Sequence, residues 1–273
     1  MPHASNGHAS RIVTGAQYVA QITARESDRQ ARAAFRDLAV RTANPGASLL
    51  DFACGTGLDA RFYAERGFSV SAYDIDRQMC EFFAAHCRDL MEAGRVTLEG
   101  GAYRDFLARQ SAGGARTVDL VTSNFAPLNL IGNLNELFAT FHARTSPHAK
   151  VLASVLSPYY LGDLRYPWWW RNLLPLMRDG RFSVAGAQAA IVRRRLADFA
   201  AQSAPYFTLQ RVFWGLPPRG RRDVAGIQLS GARGAWLRLS TCRFMFLLFS
   251  RRSEYGLVEE RGSRAGIGRA HVV

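Results

Sequence analysis

A short segment near the start of the chain has residue types and spacings that could bind a small nucleoside-containing molecule. Gly55 and Gly57 form a GxG loop after an apolar run, and Ala60 completes a GxGxxA pattern. Such glycines let the backbone approach a ligand closely just before a helix begins. Asp74 lies nineteen residues beyond Gly55, at the spacing of the acid that binds a ribose in dinucleotide-binding folds. Taken alone, this pattern favours NAD.

One carboxylate in the same segment argues for a different ligand. Asp51 directly precedes the loop, where it would lie beside the pyrophosphate that a helix N-terminus attracts. An anion is an unfavourable neighbour for phosphates, but it attracts the ammonium and sulfonium groups of S-adenosylmethionine. The residues thus leave a dinucleotide and S-adenosylmethionine open and favour the second.

Apolar runs and helical spacings alternate along the first half of the chain. The predicted strands are 49–53, 69–73, 96–98, 118–123 and 151–156, and the predicted helices are 58–66, 77–91 and 134–143. Strands that alternate with helices predict an α/β fold with a doubly wound, mostly parallel Rossmann-like sheet. After residue 156 this rhythm gives way to a stretch rich in Tyr, Trp, Pro and Arg, and we predict a later helix over 193–202 and strands near 207–214 and 244–249.

These patterns divide the chain into five predicted parts. They are an N-terminal helical segment or lid (1–44, with one or two helices within 16–42), a cofactor-binding core (45–156), a substrate-cap insertion (157–190), a completion of the core sheet (191–252) and a tail (253–273).

Composition sets limits on location and partners. The net charge of +13 is concentrated late in the chain: residues 1–156 carry 16 basic and 15 acidic side chains, and residues 157–273 carry 19 and 7. The four cysteines form no CxxC pair, which argues against a metal site and for a reducing compartment. The sequence also lacks an apolar run of about 20 residues, the length that spans a bilayer. We therefore expect a cytoplasmic protein without a membrane span.

Three segments carry a resemblance to a known family. Leu50–Gly57 resembles the first motif of class I S-adenosylmethionine-dependent methyltransferases, with Ala53 where glycine is more usual. Ser71–Asp76 resembles their second motif, and Val121–Asn129 is similar to their segment after the fourth strand. The resemblance covers residues 45–156 and extends more weakly to 250. It does not include an acid after the third strand at the adenine amino group.

This resemblance implies a seven-stranded sheet, with an insertion or cap after the fifth strand, and the cofactor S-adenosyl-L-methionine. Gly55 and Gly57 would line the methionine and ribose, Asp74 would accept hydrogen bonds from the ribose hydroxyls, and Ile75 would pack on adenine. Asp51 would help to hold the amino group. The full set of implied cofactor-binding residues is Asp51, Ala53, Gly55, Thr56, Gly57, Asp74, Ile75, Met79, Tyr103, Ser123 and Asn124.

Residues just after strands are the candidates for contact with the acceptor, because ligands of open parallel sheets bind at the carboxyl ends of the strands. No catalytic residue can be assigned from the sequence, and Asn124, Tyr159 and Tyr160 are candidates for orienting the acceptor. The predicted substrate-binding residues are Tyr18, Phe125, Arg165, Trp168 and Trp169. The aromatic and basic stretch 164–174 has the composition of a substrate lid, although it could also pack as core or lie at a membrane interface.

The sequence thus predicts a methyltransferase that acts on a small aromatic or apolar acceptor in the biosynthesis of a specialised metabolite. One form of this prediction is an acceptor that also carries an anionic group. Proximity and exclusion of water would supply most of the catalysis. One alternative is an RNA or protein methyltransferase, although nucleic acid is the less favoured partner because no RNA-binding module accompanies the arginines. A second is an NAD-dependent oxidoreductase or a non-catalytic nucleotide-binding protein. Oligomeric state is left open.

Overall fold

The structure is a computed structural model that describes residues 25–111, 117–185, 190–213, 227–228 and 242–252. The residues before 25, which include the predicted substrate contact Tyr18, and the predicted tail 253–273 lie outside the described part. The described elements run, in chain order, α1 (Glu26–Thr42), β1 (Ser48–Phe52), α2 (Leu58–Ala64), β2 (Ser69–Asp74), α3 (Arg77–His86), α4 (Arg88–Glu92), β3 (Val96–Gly100), α5 (Tyr103–Ser111), β4 (Val118–Ser123), α6 (Leu134–Arg144), β5 (Thr145–Leu156), α7 (Pro167–Arg171), α8 (Leu173–Asp179), β6 (Arg181–Val184), β7 (Ile191–Arg194), α9 (Leu196–Ser203), β8 (Phe207–Phe213), β9 (Ile227–Gln228) and β10 (Phe244–Arg251).

One large sheet organises the chain, with the strand order β3-β2-β1-β4-β5-β10-β8-β9. The first five strands in this order are parallel, whereas β10 runs antiparallel to both β5 and β8. The predicted seven-stranded, mostly parallel sheet is confirmed, and the two-residue β9 extends its edge. A purely parallel dinucleotide-binding sheet has no such reversed strand.

Two apolar layers cover the faces of this sheet. On one face Phe35 of α1 packs edge-on against Phe246 of β10, with ring centroids 5.5 Å apart. On the other face Phe138 and Phe141 of α6 pack with Phe249 and Phe52. Because strands of a parallel sheet are buried on both faces, their sequences are continuously apolar rather than alternating.

The residues after β5 build a small subdomain with its own apolar centre. Tyr159, Leu176 and Phe182 form a third cluster of buried side chains. Strands β6 and β7 pair as an antiparallel hairpin separate from the main sheet. This hairpin crosses residue 190, so the insertion continues four residues past its predicted end before α9 begins.

Several element bounds differ from the sequence expectations. The predicted helix 77–91 is two helices, α3 and α4, which meet at Cys87. The predicted helix over 193–202 begins only at Leu196, because residues 191–194 pair with β6. Helix α5 has no counterpart among the predicted elements, although Tyr103, Phe106 and Leu107 have helical spacing. None of the described helices is both long and apolar enough to cross a bilayer.

Gly57, which precedes α2, is required by both its backbone and its surroundings. Its φ of 82° lies in the left-handed region, and an added Cβ would lie 2.8 Å from Cδ2 of Phe83 and 2.9 Å from Sγ of Cys87. Gly46 has a similar φ of 78°, but an added Cβ there would meet nothing within 4 Å.

We therefore expect Gly57→Ala to lower the free energy of unfolding by about 2–4 kcal/mol, because backbone strain and overpacking add. Gly46→Ala should cost only the backbone strain, about 1 kcal/mol. Urea unfolding of both variants would test this difference. Equal losses of stability in the two variants would show that the contacts of the added Cβ with Phe83 and Cys87 do not contribute to the loss.

Candidate functional site

A small cavity lies at the carboxyl ends of β1 and β4, beside the glycine loop. Its lining consists of Arg32, Asp51, Ala53, Cys54, Gly55, Thr56, Leu58, Asp59, Asn124 and Phe125. Among the described residues other than glycine, those with positive φ are Ala53, Phe125 and Ala126, all in the loops that leave these two strands. Strained backbone of this kind concentrates at ligand-binding sites, where the surrounding structure holds it in place.

Asp74 closes one side of this site at the end of β2. Its Oδ2 accepts a hydrogen bond from the backbone N–H of Gly55 at 2.7 Å, and its Oδ1 accepts one from Asp76 at 2.9 Å. Burial raises the pKa of the Asp74 carboxyl, although these two backbone donors act in the opposite direction. Asp74 thus fixes the path of the glycine loop. The adjacent Ile75, the predicted adenine contact, is 62% exposed.

Asp51 is a buried carboxyl with only part of its hydrogen-bonding capacity used. Its Oδ1 accepts a hydrogen bond from Oγ1 of Thr122 at 3.1 Å, whereas its buried Oδ2 has no hydrogen-bond partner in the described part of the chain. Burial and the nearby carboxylate of Asp59 raise the pKa of Asp51 to about 8. Asp51 is therefore mostly protonated at neutral pH when no cation lies beside it.

Asp59, in the first turn of α2, is the best-neutralised acid of the site. Arg32 and Arg36 of α1 approach its Oδ1 at 2.7 and 2.6 Å, and Nδ2 of Asn124 donates to its Oδ2 at 3.0 Å. Burial acts to raise the pKa of Asp59, but the two guanidinium groups outweigh it and hold the pKa below its ordinary value. This carboxylate ties together α1, α2 and the loop after β4.

These features fit a cationic, nucleoside-containing ligand better than a pyrophosphate. The orphaned Oδ2 of Asp51 offers an acceptor to an ammonium group, and a cation beside it would favour the ionised carboxylate. Asp74 lies beside the glycine loop, with its Oδ2 2.7 Å from the backbone nitrogen of Gly55. The carboxyl oxygens of Asp51 and Asp74 beside the loop are acceptors, which suit an ammonium or a hydroxyl better than a phosphate.

A second and larger cavity, of about 550 Å³, lies between α1, the insertion and the start of β10. Aromatic side chains form part of its wall, namely Tyr160, Tyr166, Trp168 and Phe244. Its charged lining consists of Arg25, Asp28, Asp163, Arg165, Arg193 and Arg243. Four arginines and two aspartates thus give this lining an excess of positive charge.

Two phenylalanines stand between the two cavities. Phe125, which lines the cavity at the glycine loop, packs edge-on against Phe244, which lines the larger one, with ring centroids 5.4 Å apart. The guanidinium of Arg32 lies 4.4 Å from the centroid of the Phe125 ring. A ligand in each cavity would thus share this aromatic wall.

The structure brings most of the predicted site residues to one edge of the sheet. Of the predicted cofactor contacts, Asp51, Ala53, Gly55, Thr56 and Asn124 line the smaller cavity, and Gly57, Asp74 and Ile75 flank its loop. Ser123 ends β4 with a buried hydroxyl that has no hydrogen-bond partner among the described residues. Met79 is part of α3 and its backbone N–H donates to Asp76. Tyr103 packs its ring against Phe52 of the core.

The predicted acceptor contacts divide into two groups. Arg165, Trp168 and Tyr160 line the larger cavity. Trp169 and Tyr159 are instead buried within the insertion, where Nε1 of Trp169 donates to the carbonyl of Pro158 at 2.9 Å and Tyr159 packs with Leu176. The side chain of Asn124 is engaged at both ends, by Asp59 and by the backbone N–H of Phe125.

Sequence reasoning missed the contributions that come from distant segments. Arg32, Arg36 and Asp59 form an ion cluster, and Arg193, Arg243 and Phe244 line the larger cavity. The spacing of Arg32 and Arg36 places both on one face of α1, which is a detectable signal, but their partner in α2 has no signature in the sequence. No cluster of His, Cys, Asp and Glu suited to a metal occurs in the part of the chain that the structure describes.

The raised pKa of Asp51 predicts a pH-dependent stability. The folded protein holds this proton more tightly than the unfolded chain does, so the free energy of unfolding should fall as pH rises from about 4 to about 8. We expect Asn at position 51 to remove this loss, so that Asp51→Asn is more stable than wild type by an amount that grows up to pH 8.

Asp59→Asn provides a control of opposite sign, because the pKa of Asp59 is lowered and its stabilisation is lost as pH falls. Melting temperatures of the three proteins between about pH 2 and pH 9 would measure both effects, because the Asp59 contribution is lost below about pH 4 and the Asp51 contribution is lost above it. If Asp51→Asn shifted the melting temperature equally at all these pH values, Asp51 would not be the protonated group.

Comparison with known families agrees with this geometry. A family model described as a methyltransferase domain matches residues 24–187, which is more than half of the chain. Among proteins with curated functions, none matches the sequence significantly.

Many solved structures share the fold at low sequence identity. A TehB-like S-adenosylmethionine-dependent methyltransferase from Corynebacterium glutamicum aligns with a TM-score of 0.53 and 13% identity, over 87% of this chain and 98% of its own. The 1,6-didemethyltoxoflavin-N1-methyltransferase of Burkholderia thailandensis, with bound 1,6-didemethyltoxoflavin and S-adenosylhomocysteine, gives 0.52 and 17% over 93% of each chain. A putative methyltransferase of Haloferax volcanii, in complex with the Trm112 methyltransferase activator, gives 0.54 and 12% over 88% and 96%.

The family match decides between the two cofactors that the residues left open. The glycine loop, the acids at the ends of β1 and β2 and the reversed strand β10 agree with it, and the oxidoreductase interpretation is set aside. The chain belongs to the methyltransferase domain family and is an enzyme of the class I, S-adenosylmethionine-dependent type.

Proposed function

We propose that this enzyme methylates a small acceptor that is apolar or aromatic in its body and anionic at one end, as part of metabolite biosynthesis. The observation that carries the proposal is the second cavity of about 550 Å³, which shares the wall of Phe125 and Phe244 with the cavity at the glycine loop. A volume of this size suits a drug-sized molecule. An RNA or protein segment would instead be expected to need an open groove.

The charge of the cavity lining supports an anionic group on the acceptor. Arg193 is buried and held by the carbonyl of Ser157 at 2.7 Å and by Asp163 at 3.1 Å, so its charge is largely compensated. Arg165 and Arg243 are exposed side chains that also line the cavity. A carboxylate that enters the cavity could therefore meet a guanidinium in bidentate geometry.

In this proposal, residues of the chain bind the cofactor, position the acceptor and exclude water. Asp51, Asp74 and the glycine loop would hold S-adenosylmethionine, which supplies an electrophilic methyl group when it is bound. Asn124 orients Asp59 and the strained turn at Phe125, so it acts as a positioning residue. Tyr160 and Trp168 would hold the acceptor body and exclude water, which is sufficient for an in-line transfer.

No histidine lines either cavity among the described residues, so a dedicated imidazole base is not part of the proposal. Among the solved structures of similar fold, the Burkholderia thailandensis enzyme has 1,6-didemethyltoxoflavin and S-adenosylhomocysteine bound. The same fold thus holds a small molecule beside the cofactor product in that enzyme, which supports a small acceptor here. The putative Haloferax volcanii methyltransferase, which has a similar fold, is instead in complex with a methyltransferase activator protein.

The proposal predicts that Arg243 selects for a carboxylate on the acceptor. In a screen of hydroxylated aromatic carboxylates and their matched carboxamides, we expect methylation of carboxylates, measured as S-adenosylhomocysteine formed. Arg243→Gln should raise the KM for an active carboxylate about 10- to 100-fold, the loss of one charge-assisted hydrogen bond, and should change the KM for its carboxamide little.

Arg104→Gln, at an exposed arginine of α5 outside both cavities, serves as the matched control and should behave as wild type. Calorimetry with S-adenosylhomocysteine would verify that each variant still binds cofactor. Methylation of RNA or a protein in preference to every small acceptor would contradict the proposal, as would equal effects of Arg243→Gln on carboxylates and carboxamides.

A further inference from the structure

The two helices of the insertion expose an apolar stripe that the rest of the described structure leaves uncovered. Tyr166, Trp170, Leu174 and Met177 are 41%, 58%, 71% and 53% exposed. Helices α7 and α8 are nearly continuous, because the N–H of Asn172 bonds to Trp169 and the N–H of Leu176 bonds to Asn172. At spacings of four and three residues, the four side chains lie on one side of this unit. We call these four residues the insertion face.

The insertion face is not needed for the packing of the insertion itself. The opposite side of α7 and α8 supplies Trp169 and Leu176, which are 4% and 2% exposed. Leu176 already packs with Tyr159 and Phe182 in the centre of the insertion. Nε1 of Trp170 donates to the carbonyl of Leu164 at 2.7 Å, so the polar atom of this indole is satisfied while its ring remains outside.

Arginines surround this apolar face. Arg165, Arg171, Arg178 and Arg181 are all exposed, and Asp179, which pairs with Arg178 at 2.8 Å, is the one exposed acid of the insertion within residues 157–185. Exposed leucine, methionine and tryptophan within a basic rim match the boundary of an anionic bilayer, where apolar side chains enter the acyl region and arginines meet phosphates.

A second copy of the chain fits this face poorly. In a two-fold dimer the same patch lies on both sides of the interface, so the rim arginines would oppose one another with Asp179 as the one exposed acid of residues 157–185 to compensate them. An anionic lipid surface supplies the compensating charge.

We propose that the insertion face docks the enzyme on membranes that contain anionic lipids. The mouth of the larger cavity adjoins this face, since Tyr166 of the face and Arg165 of its rim both line the cavity. Docking therefore places the cavity next to the lipid surface, and it does not depend on which acceptor the cavity binds.

Co-sedimentation of the full-length protein with vesicles tests this proposal. We expect binding to vesicles of phosphatidylglycerol and phosphatidylcholine at least tenfold stronger than binding to phosphatidylcholine alone, and weakening by 0.5 M NaCl. The double variant Leu174→Ser, Met177→Ser should lose at least tenfold in binding, as should Arg171→Gln, Arg181→Gln. Leu130→Ser removes a leucine that is 51% exposed outside the insertion and should bind as wild type does.

Binding of S-adenosylhomocysteine and the melting temperature would show that each variant is folded. The proposal is overturned if the folded wild-type protein does not sediment with anionic vesicles, or if the Leu174→Ser, Met177→Ser variant sediments as well as wild type. Light scattering supplies the third test. A wild-type dimer that this double variant converts to monomers would assign the face to a second copy of the chain instead.

Discussion

The geometry of the site depends on the ion cluster around Asp59. The Asp59 carboxylate pairs with Arg32 and Arg36 of α1 and accepts a hydrogen bond from Asn124 in the loop after β4. Asp59 itself lies in the first turn of α2, directly after the glycine loop. Three segments far apart in sequence thus meet on one buried acid. Removal of one partner of a buried ion pair typically costs about 3–5 kcal/mol, so α1 is held firmly as a wall of both cavities. The turn at Phe125, which sits under Arg32, is held by the same contacts.

The same cluster explains why the neighbouring Asp51 can remain uncompensated. The two guanidinium groups are committed to Asp59, so they lower the pKa of Asp51 less than burial and Asp59 raise it. Asp51 is therefore a neutral acid whose Oδ2 has no hydrogen-bond partner among the described residues. A bound cation would lower its pKa, and the ionised carboxylate would then pair with that cation. The site therefore carries a latent negative charge that is expressed only with a cationic ligand.

Much of this site could be predicted because its signals are local in sequence. Gly57 is required by a left-handed backbone, and Asp51 and Asp74 end adjacent parallel strands, so spacing alone brings them together. The sheet followed from the alternation of apolar runs and helices. In contrast, the pairing of Asp59 with α1, the burial of Trp169 and the β6–β7 hairpin depend on tertiary contacts between segments that share no pattern. Three consecutive tryptophans look alike in the sequence, yet Trp168 lines a cavity, Trp169 is buried and Trp170 is exposed, because successive helical positions differ by about 100°.

The different environments of the three tryptophans show that the insertion contributes both to the larger cavity and to an exposed surface. A helix that presents one aromatic to a ligand cavity, one to its own core and one to the outside cannot be optimised for stability alone, since burying Trp170 would gain about 1.5–3 kcal/mol. The arginines show a similar separation: Arg193 is buried and pairs with Asp163, whereas Arg171, Arg178 and Arg181 at the rim are exposed. The basic excess in the last part of the chain is thus not a uniform solvated charge within the insertion. It is sorted by depth: Arg193 is compensated inside, whereas the exposed arginines around the apolar surface share one exposed acid, Asp179, within residues 157–185. Such an arrangement suits contact with a negatively charged surface.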